Sequence, residues 1–470
     1  MKKYDLIVLG GGSGGLTAAA GAASLGAAVA LIHAGPLGGD CLWTGCVPTK
    51  SFIHSAKMIY QSQEATQFGL SFSGSPDFNV MQIRLQESIA QIGRHDDPDR
   101  FRQLGVDLFE GYGSFLSPHE ITVDGNEQIY GKRIVIATGS SPHIPPIPGL
   151  EKVNYLTNEN AIQLKDRPHS LLVIGGGPIG VEFAQSFARV GAEVTVIEQA
   201  PTILFREDEE LVPYVVKALE RENIRLMTNT VVSRVNGSHV HVVQNGQESQ
   251  ISVDRILVAV GRVPNTKRLN LENAGVRVAT NGSIEVNDHL QTNIPHIYAV
   301  GDVNGRYPFT HTAGYEGKIT VSNALFGLKR KANYNNLPWV TYSDPELFHL
   351  GLTEKEAREK VANIQVYKAM LNEMDRFIID RQREGMIKVI TDRKGYIIGA
   401  HAVAEGAGEF MQEVVFAKHH GHKIGDLSHV IHPYPTKVGG VQQVADLYWR
   451  EKLFGGQLSK WIKRYLKWFR

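Results

Sequence analysis

Two stretches of the chain repeat one unit, and that repeat limits the folds open to it. Leu6-Ile7-Val8-Leu9 is an apolar run that leads into Gly10-Gly11-Gly12-Ser13-Gly14-Gly15. Leu171-Leu172-Val173-Ile174 leads in the same way into Gly175-Gly176-Gly177-Pro178-Ile179-Gly180. Each is followed by an alanine-rich or apolar helical stretch that reaches a glycine, Gly26 or Gly191. A second β-rich run follows, Ala28 to Ile32 or Val194 to Ile197. A strand, then G-x-G-x-x-G, then a helix is the dinucleotide-binding fingerprint. Its first glycine makes a tight turn, its second admits a pyrophosphate close to the backbone, and its third lets helix and strand pack. The phosphates then meet a helix N-terminus, where free N–H groups and the dipole favour an anion. One such motif also occurs in ordinary turns. Two, each in full strand–helix–strand context, predict two Rossmann-like domains.

The end of the second β-rich run separates the copies. In the second unit it carries Glu198, whose carboxylate can accept ribose hydroxyls and so favours NADH over NADPH. Gln199 and Ala200 follow, with no arginine placed for a 2′-phosphate. The first unit has His33 at the same offset, either a ribose contact or a surface residue at a strand end.

At 470 residues the chain exceeds one ordinary core, and about three domains are expected. A net charge of +1 gives a nucleic-acid role no bulk support. Leu6 to Ile32 holds no charged residue, which is long enough to span a bilayer. The glycine cluster inside it favours a buried parallel strand instead.

The chain has only two cysteines, in Gly38-Gly39-Asp40-Cys41-Leu42-Trp43-Thr44-Gly45-Cys46-Val47-Pro48-Thr49-Lys50. So short a loop staples little together, and a cytoplasmic setting with redox chemistry is expected. Pro48 predicts a helix start nearby, with both cysteines on an early turn. A helix N-terminus lowers a thiol pKa. Two buried free thiols are the alternative. No resident metal is expected, because zinc needs four ligands and no histidine cluster lies close in sequence.

The pattern Gly-Gly-x-Cys-x4-Cys-Val-Pro-x-Lys resembles the active-site signature of the class I pyridine nucleotide–disulfide oxidoreductases. The resemblance runs nearly the length of the chain. Ile134-Val135-Ile136-Ala137-Thr138-Gly139 resembles the strand and turn that close the FAD domain. Val260-Gly261-Arg262-Val263-Pro264-Asn265 resembles the exit of the nicotinamide domain. Ile297-Tyr298-Ala299-Val300-Gly301-Asp302 resembles the second FAD fingerprint, and Thr341-Tyr342-Ser343-Asp344-Pro345-Glu346 the opening of the interface domain.

The resemblance implies an α/β chain with two Rossmann-like domains and a C-terminal α+β dimerisation domain. Residues 1–150 would be the first part of the FAD domain and 151–270 the NAD domain. Residues 271–335 would return to the FAD domain, and 336–450 would build a homodimer. Pro142 to Pro148 reads as a stiff linker.

The resemblance also implies that NADH reduces bound FAD, which reduces the Cys41–Cys46 disulfide. Cys46 would be the flavin-side thiolate and Cys41 the exchange thiol. Lys50 would sit beside the flavin, paired with Glu182. FAD would be held by Gly10, Gly12, Ser13, Gly15, His33, Gly39, Lys50, Gly113, Thr138, Gly139, Asp302, Thr310 and His311. The nicotinamide cofactor would be held by Gly175, Gly177, Ile179, Gly180, Glu198 and Gly261.

Near the C-terminus the pattern departs from its relatives. Disulfide-reducing members carry His-Pro-Thr and then a glutamate, an acid–base pair for thiol exchange. Here Ile431-His432-Pro433-Tyr434-Pro435-Thr436-Lys437-Val438-Gly439 puts Tyr434 in the histidine's place and Gly439 in the glutamate's. His432 lies two positions earlier. The tyrosine resembles mercuric reductase, yet the second cysteine pair that delivers Hg(II) there is missing. The acceptor is therefore left open among small-molecule or protein disulfides, metal ions, quinones and oxygen. Mercuric reductase, dihydrolipoamide dehydrogenase and a redox sensor or docking subunit that does not turn over are the competing readings.

Residues 451–470 carry four lysines, two arginines and one glutamate, a net +5 against −4 for the rest. Leu458, Trp461, Ile462, Tyr465 and Phe469 fall at helical spacing on one face, away from Lys460, Lys463, Lys467 and Arg470. Such a basic amphipathic tail suits a membrane surface, and thus a peripheral location, or a partner groove. Packing against its own dimer is the alternative.

Overall fold

The computed structural model describes every residue except 72, 456, 469 and 470. Phe469, Arg470 and the side chain of Leu458, placed on the tail helix from sequence, lie outside the described residues.

Both repeats fold as expected. The first runs from the strand Leu6–Leu9 through the helix Ser13–Ser24 to the strand Val29–His33. It lies in a five-stranded parallel sheet, in the order Ile297–Ala299, Ile134–Ile136, Leu6–Leu9, Val29–His33, Val106–Glu110. Every residue of Leu6–Leu9 is buried, which explains the unbroken apolar run. The second runs from Ser170–Ile174 through the helix Pro178–Arg189 to Glu193–Ile197. Its four-stranded parallel sheet has the order Arg225–Met227, Glu193–Ile197, Ser170–Ile174, Arg255–Val258.

The two turns have closely similar backbone geometry. Gly10 has φ 115° and Gly175 has φ 111°, the left-handed region open to glycine. A Cβ at Gly15 would strike the carbonyl oxygen of Gly10, and one at Gly180 that of Gly175. The third glycine of each motif thus sets how tightly the helix seats on its own strand.

The chain crosses between these units on a short antiparallel pair, Ser140–Pro142 with Arg262–Pro264. It ends in a five-stranded antiparallel sheet, in the order Pro338–Thr341, Glu346–Gly351, Ile397–Ala404, Met386–Thr391, Gln365–Met370. The helix Gly439–Arg450 packs Val441, Val444, Ala445 and Tyr448 into the core beside this sheet.

One expectation about the cysteines is corrected. They do not share a helical turn. Cys41 lies in the short helix Gly39–Trp43, and Cys46 begins the long helix Cys46–Glu64. The chain breaks at Thr44-Gly45 because Gly45 folds back on Asp40, whose carbonyl accepts the N–H groups of both residues.

Candidate functional site

A continuous cavity of about 3520 Å³ runs across both Rossmann-like units. That volume exceeds an ordinary single-ligand pocket of roughly 300–1,000 Å³. On one side it meets Gly10, Gly12, Ser13, His33, Gly39, Cys41, Cys46, Lys50, Gly113, Thr138, Gly139, Asp302, Thr310 and His311. On the other it meets Gly175, Gly177, Ile179, Glu182, Glu198 and Gly261. Gly15 and Gly180 do not line it; they lie beneath, at the seat of each helix. His432 and Tyr434 also lie off this cavity.

The site fits two dinucleotides. The helices Ser13–Ser24 and Pro178–Arg189 begin at Gly12 and Gly177 with no side-chain cap and no acidic residue in the first turn. Their first N–H groups are therefore left for an anion. A Cβ at Gly177 would meet no atom within 4 Å, so the approach to that helix end is open.

Glu198 is 7% exposed at the far end of the second unit. Its Oε2 accepts the Gly176 N–H at 2.7 Å and its Oε1 the Ala200 N–H at 2.8 Å. Backbone donors thus fix the carboxylate beside the glycine turn. His33 instead turns its Nδ1 to the Gly35 carbonyl oxygen at 2.7 Å.

Cys46 opens its helix at Gly45, again with no side-chain cap and no acid in the first turn. Both cysteines are free thiols. Cys46 Sγ lies 3.3 Å from the Thr310 hydroxyl, 264 positions away. The hydrogen bond from Cys41 holds the Cys46 thiol down to about 6; burial opposes this, while the Thr310 hydroxyl and the Lys50 charge assist. Cys41 is pushed up by the same hydrogen bond, by burial and by the neighbouring Cys46 charge. The pair is thus polarised into one thiolate and one thiol. In the reduced protein, thiolate absorbance is expected to rise with pH through about 6 and to follow Cys46. A single transition near the free-thiol value of about 8.5 would contradict this.

Lys50 lies one helical turn beyond Cys46 and donates to Glu182 Oε2 at 2.9 Å. Burial lowers the Lys50 pKa, but the Glu182 charge and hydrogen bond outweigh it, so the ammonium is held above its usual range. The Lys50 Nζ also sits 4.6 Å from the Tyr342 ring centroid. Glu182 is held in turn, because its Oε1 accepts the Tyr342 N–H at 2.9 Å.

Three residues on one face of that helix grip the next domain. Beyond Glu182, Gln185 exchanges hydrogen bonds with the Asp344 backbone at 2.8 and 2.9 Å. Arg189 reaches Asp344 Oδ2 at 3.0 Å and Glu222 at 2.7 Å. This i, i+3, i+7 clasp fixes Glu182, and through it Lys50, between the second unit and the C-terminal domain.

The sequence marks Arg262 only as part of a domain exit. Its guanidinium donates to the Ser140 hydroxyl at 2.7 Å and the Ser140 carbonyl oxygen at 2.8 Å. It also lies 3.1 Å from Asp40 and 3.8 Å from Asp302. It therefore ties the turn before Cys41 to the fingerprint aspartate.

His432 and Tyr434 point to different partners. His432 Nε2 meets Glu413 at 2.9 Å and its Nδ1 meets Gln442 at 3.2 Å. Tyr434 is 80% exposed and donates to Asp375 Oδ2 at 2.8 Å. No group of three or more metal-ligating side chains occurs among the described residues.

Comparison with known proteins agrees with this layout. Residues 4–317 match the family model "Pyridine nucleotide-disulphide oxidoreductase", and 337–445 match that family's dimerisation domain. A mercuric reductase of Bacillus cereus is 35% identical over 93% of this chain and 70% of its own. A dihydrolipoyl dehydrogenase of Thermus scotoductus is 36% identical over 95% of this chain and 97% of its own. The Cu(II) complex of the HOCl-induced flavoprotein disulfide reductase RclA from Escherichia coli superposes with a TM-score of 0.85. That structure is 29% identical and covers 95% of this chain and 100% of its own.

Proposed function

The chain belongs to the pyridine nucleotide-disulphide oxidoreductases, FAD-dependent enzymes that use NAD(P)H, and on that premise we propose an NADH-dependent reductase of a thiophilic metal ion held by Cys41 and Cys46. The match to the dimerisation domain supports a homodimer. Bound FAD supplies the two-electron relay between the nicotinamide and the dithiol. Gly10, Gly12 and Ser13 would cradle its phosphates, with Asp302 and Thr310 nearer the reacting end. Gly175, Gly177 and Glu198 would hold the nicotinamide nucleotide, and Ile179 would line its path toward Glu182 and Lys50.

The observation that carries the acceptor is Tyr434, which stands in the sequence where disulfide-reducing members carry the acid–base histidine. Disulfide exchange needs a proton for each departing thiolate, and a positioned acid–base contributes roughly 10²–10⁴-fold. His432, two positions earlier, pairs with Glu413 and Gln442 and lies off the cavity lined by Cys41 and Cys46. A metal ion held by two sulfurs needs no proton delivered to it. Cys41 releases its own proton on binding, so metal-dependent turnover is expected to rise with pH.

Stopped assays of NADH oxidation test this with Hg(II) in excess thiol, with Cu(II), and with lipoamide. Metal-dependent turnover is expected, with lipoamide roughly 100-fold slower. Rapid lipoamide turnover with no response to either metal would overturn the proposal in favour of a dihydrolipoamide dehydrogenase, the second reading its relatives support. Flavin reduction without turnover on any acceptor would favour a sensor.

The NADH preference rests on Glu198. A 2′-phosphate beside that fixed carboxylate meets like charge. Glu198→Gln keeps the shape and removes the charge, and the NADH/NADPH ratio of kcat/KM is expected to fall by about tenfold or more, the worth of one charged contact. An unchanged ratio would place the discrimination elsewhere.

A further inference from the structure

The described residues finish in the helix Gln457–Trp468, which follows a π-helical turn at Glu451–Gly455. Trp461, Ile462, Leu466 and Trp468 lie on one half of its surface, while Lys460, Lys463, Arg464 and Lys467 lie on the other. Trp461 is 69% exposed, Leu466 55% and Trp468 84%. Ser459 is the one buried residue among the helix side chains described. The apolar half of the helix is therefore largely solvent-exposed.

We propose that this helix docks the enzyme on an anionic lipid surface. Three observations select that occupant. The segment Gln457–Trp468 holds four basic residues and no aspartate or glutamate. Helices that pack on soluble proteins commonly mix charge signs along their flanks, whereas a single sign matches a field of lipid phosphates. The apolar half carries tryptophans, whose rings settle at headgroup depth. Residues 1–450 have a net charge of −4, which would draw the helix inward, yet its described side chains lie almost wholly exposed. No described helix is long and apolar enough to cross a membrane, so this one would lie in the interface plane. The inference is independent of the acceptor.

Sedimentation with vesicles tests it. The full-length FAD-loaded protein is mixed with phosphatidylcholine vesicles, or with vesicles that also contain phosphatidylglycerol, at low and high salt. Sedimentation with the anionic vesicles only, reversed by salt, is expected. Lys460→Gln with Lys463→Gln should weaken partition roughly 30-fold, at about 1 kcal/mol for each charge near the surface. Trp461→Ser with Trp468→Ser should abolish binding while NADH turnover and dimer mass stay unchanged. Failure of the parent protein to bind anionic vesicles would overturn the proposal. So would parental binding by the tryptophan variant. If the parent did not bind and that variant became monomeric, the helix would belong to the dimer contact instead.

Discussion

Replacing Cys46 with serine is expected to cut NADH-driven turnover of every acceptor by at least ~10³-fold. The expectation follows from the division of labour between the two sulfurs. Cys46 begins a helix, receives the Cys41 hydrogen bond, sits 3.3 Å from the Thr310 hydroxyl and feels the Lys50 charge. A serine hydroxyl at that point keeps the shape and the hydrogen bonds but has no sulfur to hold an electron pair. Folding and cofactor content should be preserved, because the change is nearly isosteric and Cys46 makes no buried core contact. The comparison is Cys41→Ser. It too should lose acceptor turnover, but it should retain the Cys46 thiolate. Turnover in Cys46→Ser within tenfold of the parent, with the acceptor reduced at the same stoichiometry, would show that electrons reach the acceptor without the pair.

The second large effect is expected from Lys50. Lys50→Met should slow reduction by NADH roughly 100-fold, the usual loss when one aimed electrostatic donor is removed from a reacting centre. The side chain of Lys50 is 36% exposed and that of Glu182 only 7%. The ion pair is thus screened on the lysine side, and little stability is expected from it. Rate is the informative readout. Glu182→Gln separates charge from position: it leaves an acceptor oxygen for the Tyr342 N–H but releases Lys50 from its counter-charge. A smaller rate loss is expected there, with the pH profile shifted down as the lysine loses its proton more readily. Equal and small effects in both variants would reduce the pair to a structural tie.

Much of this centre was legible because it is local or repeated. Both glycine motifs, the strand before each and the helix after each follow from short-range pattern, and the backbone clashes at Gly15 and Gly180 show why only glycine serves. The Lys50–Glu182 pair spans 132 positions, yet each residue occupies a fixed place in a recognisable motif. What was not legible depends on contacts that no local pattern encodes. The Thr310 hydroxyl reaches Cys46 only because the helix Thr310–Phe326 returns to the start of the helix Ser13–Ser24, where the Ser13 hydroxyl donates to the Thr310 carbonyl oxygen. The clasp of Glu182, Gln185 and Arg189 on residues 342–344 joins two domains through backbone groups of Tyr342 and Asp344 and through the Asp344 carboxylate, partners distant in sequence. The break between the cysteine helices arises from Gly45 turning back on Asp40, where Pro48 and the cysteine spacing suggest one shared helical turn. The pairing of His432 with Glu413 and Gln442 is likewise outside any local pattern, because neither partner belongs to the motif.

The most direct test of the electron path is an anaerobic titration of the FAD-loaded protein with NADH, followed by long-wavelength absorbance. A new band is expected when the pair is reduced, from the Cys46 thiolate against the flavin. It should fade as pH falls below about 6. It should persist in Cys41→Ser and vanish in Cys46→Ser. A parent protein that forms no such band, or a Cys46→Ser variant that keeps it, would contradict the account.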